Sequence, residues 1–97
     1  MKILIAEDDR ISRNFLQKFM QEYGEVDVAV DGMEAVDLYM DSIKNNSPYD
    51  LLCLDIMMPK VDGLKVLKVI RQLERQKNVS DEDHLKIIMM TALADVG

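Results

Sequence analysis

The chain has 97 residues, which is enough for one small domain and too few for two. Its composition, 48% hydrophobic and 31% charged, is typical of a globular protein, and it contains no apolar run near the ~20 residues of a membrane helix. The net charge of −6 argues against binding to nucleic-acid backbones, which relies on clustered lysine and arginine.

The amino terminus favours a cytoplasmic location. Met1 and Lys2 lead directly into a strand-like run that acids follow, which is unlike a signal peptide. Cys53 is the single cysteine, and its place inside an apolar run predicts an inert buried thiol. We therefore expect a cytoplasmic protein with no membrane or nucleic-acid partner.

The first half of the chain predicts strand, helix, strand and helix in that order. Residues 2–6 form a continuous apolar run, the pattern of a strand that is covered on both faces. A helix is predicted over residues 9–23, with Asp9 as its cap and Gly24 as its end. A second strand over residues 26–30 and an amphipathic helix over residues 33–44 follow.

Both helices have apolar residues at helical spacing. In the first helix, these residues share one face and are Ile11, Phe15, Leu16, Phe19, Met20 and Tyr23. In the second helix, they are three or four residues apart and are Met33, Val36, Met40 and Ile43.

The second half of the chain predicts two more strands and one more helix. Residues 51–54 are a third strand, since the apolar run is too short for a helix. Asp62 is placed to cap a helix over residues 63–77. The residues that this helix turns inward are expected to be Leu64, Leu67, Ile70 and Leu73. A polar loop at 78–84 precedes a fourth strand at 86–90.

Strands that alternate with helices in this way predict an α/β fold with a three-layer parallel sheet and right-handed crossovers. Two of the strands end in acids: Glu7, Asp8 and Asp9 follow the first, and Asp55 follows the third. Like charges a few Å apart disfavour each other's ionisation, so a shared pocket implies raised pKa values or a bound cation.

At these residues the sequence resembles the receiver domain of two-component response regulators, which accepts a phosphoryl group from a sensor histidine kinase. Three segments carry the resemblance: Glu7-Asp8-Asp9, the run Asp-Ile-Met-Met-Pro-Lys-Val-Asp-Gly at 55–63, and Met90-Thr91-Ala92. The resemblance covers all of residues 1–97. It implies a flavodoxin-like fold in which the first and third strands are neighbours, so that Glu7, Asp8 and Asp55 converge.

The resemblance also implies a role for each site residue. Asp55 would be the phosphoacceptor, and Thr91 would contact the phosphoryl group and act as the switch. Mg²⁺ would be held by Glu7, Asp8, Asp55 and the backbone carbonyl of Met57. The expected partner is a sensor histidine kinase or a phosphotransfer protein, and the domain itself is not expected to be an enzyme beyond self-catalysed phosphotransfer and dephosphorylation.

Other functions remain open at this stage. The chain could be an interaction or assembly module that keeps the fold without being phosphorylated. Phosphatases and mutases that work through an aspartyl phosphate have a second aspartate two residues after the first. This chain has Met57 at that position, which disfavours this class of enzyme. A flavin site is disfavoured, because acids after the first strand would repel a phosphate.

Receivers continue through a fourth helix, a fifth strand and a fifth helix, and the sequence predicts none of these before Gly97. We therefore expect a truncated receiver with strand order 2-1-3-4, lacking the family's phosphoryl-contacting lysine and the aromatic half of its switch. The exposed edge of the fourth strand predicts self-association, by edge pairing or by exchange of elements. A strictly monomeric species in light scattering at tens of micromolar would contradict this expectation.

Two residue types call for no special function. His84 is the single histidine, and its place in a polar loop predicts that it is solvated. Most of the eight methionines are expected to face the core, and Met57 and Met58 beside Asp55 are candidates for a partner surface.

Overall fold

A computed structural model describes residues 1–55 and 63–90 of the chain. The elements in chain order are β1 (Lys2–Ala6), α1 (Arg10–Met20), β2 (Glu25–Ala29), α2 (Gly32–Lys44), β3 (Leu51–Asp55), α3 (Gly63–Gln76), a 3₁₀ turn (Asp81–Asp83) and β4 (Lys86–Met90). The predicted strands and helices are all present, and none of their ends is shifted by more than three residues. The predicted Asp62 cap lies outside the described residues.

The four described strands form one parallel sheet in the order β2-β1-β3-β4. β1 pairs with β2 and β3, and β3 pairs with β4. This order confirms the predicted receiver-like topology. It places β1 and β3 side by side at the centre, where ligands of such sheets bind beyond the carboxyl ends of the strands.

The centre of the sheet is buried on both faces, as the continuous apolar runs predicted. Residues 3–6 of β1 are all fully buried. Leu4 and Leu52 pack into the core under α2 and α3, whereas Ile3, Ile5 and Cys53 pack on the opposite face with Leu16 and Met20 of α1. Cys53 is buried, as expected, and burial raises the pKa of its thiol.

Helix α1 contacts the sheet through a narrow part of its apolar face. Leu16 and Met20 pack against the sheet, while the other members of the predicted face are 56–78% exposed and are Ile11, Phe15, Phe19 and Tyr23. Asp9 caps the helix as predicted, because its side chain accepts a hydrogen bond of 2.9 Å from the Ser12 amide. The helix ends at Met20, before Gly24, where a Cβ would lie 2.0 Å from the Met1 carbonyl oxygen.

The expectation for the inward face of α3 is wrong at Leu64, and it leaves out Glu74, which is buried. Leu64 is 54% exposed, whereas Glu74 is 1% exposed. The buried stripe of α3 consists of Gly63, Val66, Ile70 and Glu74. Leu67 and Leu73 flank this stripe and are partly buried, as predicted.

Two further expectations need correction. Met20, Met89 and Met90 pack against the core as expected, but Met1, Met33 and Met40 are 45–66% exposed. Met33 and Met40 are exposed because α2 turns Ala35, Tyr39 and Ser42 toward the core instead. His84 is not simply solvated, since its side chain is only 27% exposed and its Nδ1 lies 4.0 Å from a carboxylate oxygen of Glu74. None of the described helices has the length and apolar character that crossing a membrane requires.

Candidate functional site

The parallel pairing of β1 with β3 brings the acids of the two strand ends together. Ala6 pairs with Leu54 in the sheet register, so the residues that follow them, Glu7 and Asp55, meet at the same edge. One carboxylate oxygen from each of Glu7, Asp8 and Asp55 lies within 4.8 Å of the others. The convergence predicted for these three side chains is therefore observed.

The three acids differ in their exposure to solvent. Glu7 is 9% exposed and Asp55 is 7% exposed, whereas Asp8 lies on the surface. The Glu7 amide donates to the Ala29 carbonyl of β2 at 3.1 Å, which fixes this residue as a continuation of the strand. The pocket thus has two buried carboxyl groups and one open to water.

Repulsion between the carboxylates destabilises the charged pocket when no cation is bound. Burial, a hydrogen bond to Asp55 and the charge of Asp55 together raise the pKa of Glu7 to about 8. A proton on Glu7 relieves the repulsion between carboxylates in the same way that a metal ion would. Deprotonation of Glu7 and binding of a cation are therefore expected to be linked.

The turn after β1 is held by helix α1. Nη1 of Arg13 donates to the backbone carbonyls of Glu7 at 3.1 Å and Asp8 at 3.2 Å. Asp9 is not part of the pocket, because hydrogen bonds from Ser12 occupy its side chain and lower its pKa. This agrees with the sequence, which assigned Asp9 to the helix cap.

Arg13 is the site residue that sequence reasoning missed. The spacing of residues predicts which side chains share a helical face, but it does not show a long side chain reaching back over the start of its own helix. The available signal was an arginine four residues beyond a capping aspartate and close to two more acids. That arrangement favours an arginine side chain folded over the turn.

The donor set fits a small divalent cation that prefers oxygen. Mg²⁺ is bound in proteins by one or two carboxylates and keeps several waters or phosphate oxygens. Glu7 and Asp55 offer buried oxygens, and the exposed Asp8 leaves room for such water or phosphate ligands. Zinc sites usually include nitrogen or sulfur ligands. Among the described residues, the group of possible ligands consists of carboxylates alone.

Two residues predicted for the site, Met57 and Thr91, lie outside the described residues. The nearest described neighbour in sequence to Thr91 is Met90, the last residue of β4, and it pairs with Asp55. The backbone of β4 thus ends next to the acid pocket.

Comparisons with known proteins agree with this architecture. The family profile described as response regulator receiver domain matches residues 3–97. The chain is 40% identical over 98 residues to response regulator MprA of Mycobacterium sp. (strain KMS), and the match covers 100% of this chain and 37% of MprA. The chain therefore spans well under half the length of this relative.

Two solved structures share the fold. One is the receiver domain of the histidine kinase CKI1 from Arabidopsis thaliana complexed with Mg²⁺ and BeF₃⁻, with a TM-score of 0.79 at 26% identity, covering 93% of this chain and 64% of that one. The other is response regulator TrrA from Thermotoga maritima in complex with Mg²⁺-BeF, with a TM-score of 0.74 at 34% identity, covering 97% and 71%.

Proposed function

The chain belongs to the response regulator receiver family, whose members are regulatory phosphoacceptors of two-component phosphorelays, and we propose that it accepts a phosphoryl group on Asp55. The observation that carries this proposal is the convergence of Glu7, Asp8 and Asp55 at the end of β1 and β3. Residues 1–97 would form the receiver domain.

In the proposed reaction, an oxygen of the Asp55 carboxylate forms a bond to the phosphorus of the donor. The bond from phosphorus to the donor's leaving atom breaks, and the electron pair leaves with that atom. When the donor is a phosphohistidine, the leaving atom is a ring nitrogen. Phosphoryl transfer depends mainly on positioning and charge neutralisation, so a pocket without a general base is sufficient.

The residues that would hold Mg²⁺ are Glu7, Asp8, Asp55 and the backbone carbonyl of Met57. When bound, the ion neutralises the carboxylates and the phosphoryl oxygens, which otherwise repel one another. Two observations support this assignment: the carboxylate oxygens lie close enough to share one ion, and the related receivers CKI1 and TrrA form complexes with Mg²⁺ and a beryllofluoride.

Thr91 is proposed to donate a hydrogen bond to the phosphoryl oxygens and to act as the conformational switch. The pairing of Met90 with Asp55 supports this role, because the strand that leads to Thr91 ends beside the acceptor. The Thr91 hydroxyl would stabilise the phosphorylated state and would not take part in breaking bonds.

The proposed partner is a sensor histidine kinase or a histidine-containing phosphotransfer protein, in the cytoplasm. CKI1 supports this choice, since that similar domain is the receiver of a histidine kinase. Self-association stays a prediction for the 97-residue chain. Among the described strands, β4 lies at an edge of the sheet and its Ile88 is 51% exposed, which favours contact with a second copy.

The test is phosphorylation by acetyl phosphate in the presence of Mg²⁺, followed by intact-mass and peptide mass spectrometry. We expect one phosphoryl group on the wild-type chain, located on Asp55, and none on Asp55→Asn. A chelator or Asp8→Asn should suppress the reaction. A wild-type chain that binds Mg²⁺ and stays unmodified would favour the alternative function, an assembly module that retains the receiver fold.

A further inference from the structure

One arginine links helix α1 to the backbone of the acid pocket. Nη1 of Arg13 lies 3.1 Å from the Glu7 carbonyl oxygen and 3.2 Å from that of Asp8, so a single guanidinium nitrogen serves two successive residues. Both of these residues are proposed ligands of the cation. Arg13 touches neither the cation position nor the phosphoryl group through these bonds, because they end on the backbone.

The Arg13 backbone lies in the capped first turn of helix α1. The start of this helix is fixed by the Asp9 cap. Its own amide donates to the Asp9 carbonyl at 2.8 Å. A planar guanidinium loses little conformational freedom when it forms hydrogen bonds in a fixed direction. The carbonyls of Glu7 and Asp8 are therefore tied to a capped helix.

Orientation of the turn matters because the acids repel one another. Without a cation, the repulsion would fall if the exposed Asp8 turned its carboxylate into water and away from Glu7 and Asp55. Such a rotation has to move the Asp8 backbone or its side chain. The Arg13 hydrogen bonds resist the backbone part of this movement.

We propose that Arg13 is a positioning residue for the divalent cation: it holds the backbone of Glu7 and Asp8 so that their carboxylates stay directed at Asp55. The inference rests on the proposed function, since it assumes that these acids bind Mg²⁺. It assigns to Arg13 a role that acts through the ligands and not on the ion.

A purely electrostatic role for Arg13 predicts the opposite sign. A positive charge beside a cation site repels the cation, so its removal should tighten Mg²⁺ binding. Loss of positioning should weaken Mg²⁺ binding even though the repulsion is also lost. The direction of the change in affinity therefore separates the two roles.

The experiment is calorimetric titration of Mg²⁺ into the wild-type chain, Arg13→Ala, Arg13→Lys and Arg10→Ala. Arg10→Ala is the matched control, because Arg10 is exposed, lies three residues away on the same helix and makes no hydrogen bond to Glu7 or Asp8 in the described part of the chain. We expect about a tenfold loss of affinity for Arg13→Ala, the usual cost of removing a group that orients metal ligands. Arg10→Ala should bind Mg²⁺ as tightly as wild type or more tightly.

Arg13→Lys keeps the charge and loses the planar guanidinium. We expect its affinity to lie between those of wild type and Arg13→Ala, as partial rescue. If Arg13→Ala fails to fold by circular dichroism, the comparison of Arg13→Lys with wild type decides. Equal affinities for those two proteins, or tighter binding by a folded Arg13→Ala, would overturn the inference.

A second measurement needs no metal. Amide order parameters of Asp8 and Asp9, whose N–H groups share planar peptide units with the Glu7 and Asp8 carbonyls, should fall in the metal-free Arg13→Ala chain and stay unchanged in Arg10→Ala. Unchanged order parameters in Arg13→Ala would also count against positioning. If the wild-type chain itself fails to bind Mg²⁺, the proposed function fails first; if it binds and Arg13→Ala matches it, only this inference fails.

Discussion

Glu7 and Glu74 are both buried glutamates, and their surroundings differ completely. Glu74 accepts a hydrogen bond of 2.6 Å from the Leu85 amide and one of 2.7 Å from Nη1 of Arg71. Glu7 accepts a longer hydrogen bond of 3.4 Å from the Asp9 amide, and it faces two other carboxyl groups, Asp8 and Asp55. Glu74 thus lies among donors, whereas Glu7 lies mainly among other acceptors.

The comparison shows that the neighbours of a buried carboxylate, and not its burial alone, decide whether its charge is stabilised. A buried charge that is paired and hydrogen-bonded has its desolvation cost offset within the fold. A buried charge among like charges is destabilised by repulsion, and binding of a proton or a cation relieves that repulsion. Glu74 therefore joins α3 to the start of β4, while the acid pocket is the site for which we propose a bound cation.

The largest expected effect in this comparison comes from removing Glu74. Glu74→Ala should lower the free energy of unfolding by about 3 kcal/mol, because it leaves the Leu85 amide without its acceptor and Arg71 without its ion pair. Glu74→Gln should cost less, since an amide oxygen can still accept from Leu85. Urea denaturation of each variant measures the change.

Glu22→Ala is the control for that experiment, because Glu22 is exposed in the turn that follows α1. Its effect should stay within about 0.5 kcal/mol. A Glu74→Ala protein as stable as Glu22→Ala would show that the buried carboxylate contributes nothing to holding α3 and β4 together.

A smaller effect should come from the pH dependence of Glu7. The pKa of Glu7 is raised from its ordinary value of 4.5 to about 8 in the folded chain, so between these values the folded state holds a proton that the unfolded state has released. The stabilisation that comes from protonated Glu7 is fully present below pH 4.5 and is lost as the pH rises through 8. Metal-free wild type should therefore lose stability relative to Glu7→Gln across this range.

Thermal unfolding in a chelating buffer, recorded at several pH values, measures this difference. The two proteins should be closest in Tm at acidic pH, and Glu7→Gln should be the more stable near pH 8, since glutamine carries no charge to repel Asp55. Parallel Tm curves for the two proteins would contradict the raised pKa.

The sequence predicted the acid pocket better than the Glu74 cluster, and the reason is physical. The strands were recognisable because both faces of β1 and β3 are covered, which makes their apolar runs continuous. Once the family resemblance gave the strand order, Glu7 and Asp55 had to meet. Their separation along the chain was then no obstacle to the prediction.

Helix α3 shows where the same reasoning fails. A pattern of apolar residues assigns leucine to the core and glutamate to solvent, so it predicts Leu64 on the inward face and gives no signal for the burial of Glu74. Burial of Glu74 depends on donors from Arg71 and Leu85, and the second of these is eleven residues away along the chain. The hydrogen bonds of Arg13 escape a sequence pattern for a similar reason, because their acceptors are backbone carbonyls that no residue pattern displays.

The stabilisation of the chain by Mg²⁺ tests the contrast between the two glutamates most directly. Thermal unfolding of wild type, Asp8→Asn and Glu74→Gln would be recorded with and without Mg²⁺ near pH 8. A ligand at about 100 times its Kd stabilises the folded state by about 2.7 kcal/mol. We predict that Mg²⁺ raises the Tm of wild type and Glu74→Gln by similar amounts and leaves Asp8→Asn nearly unchanged. An equal rise in Asp8→Asn, or no rise in wild type, would contradict the assignment of the acid pocket as the cation site.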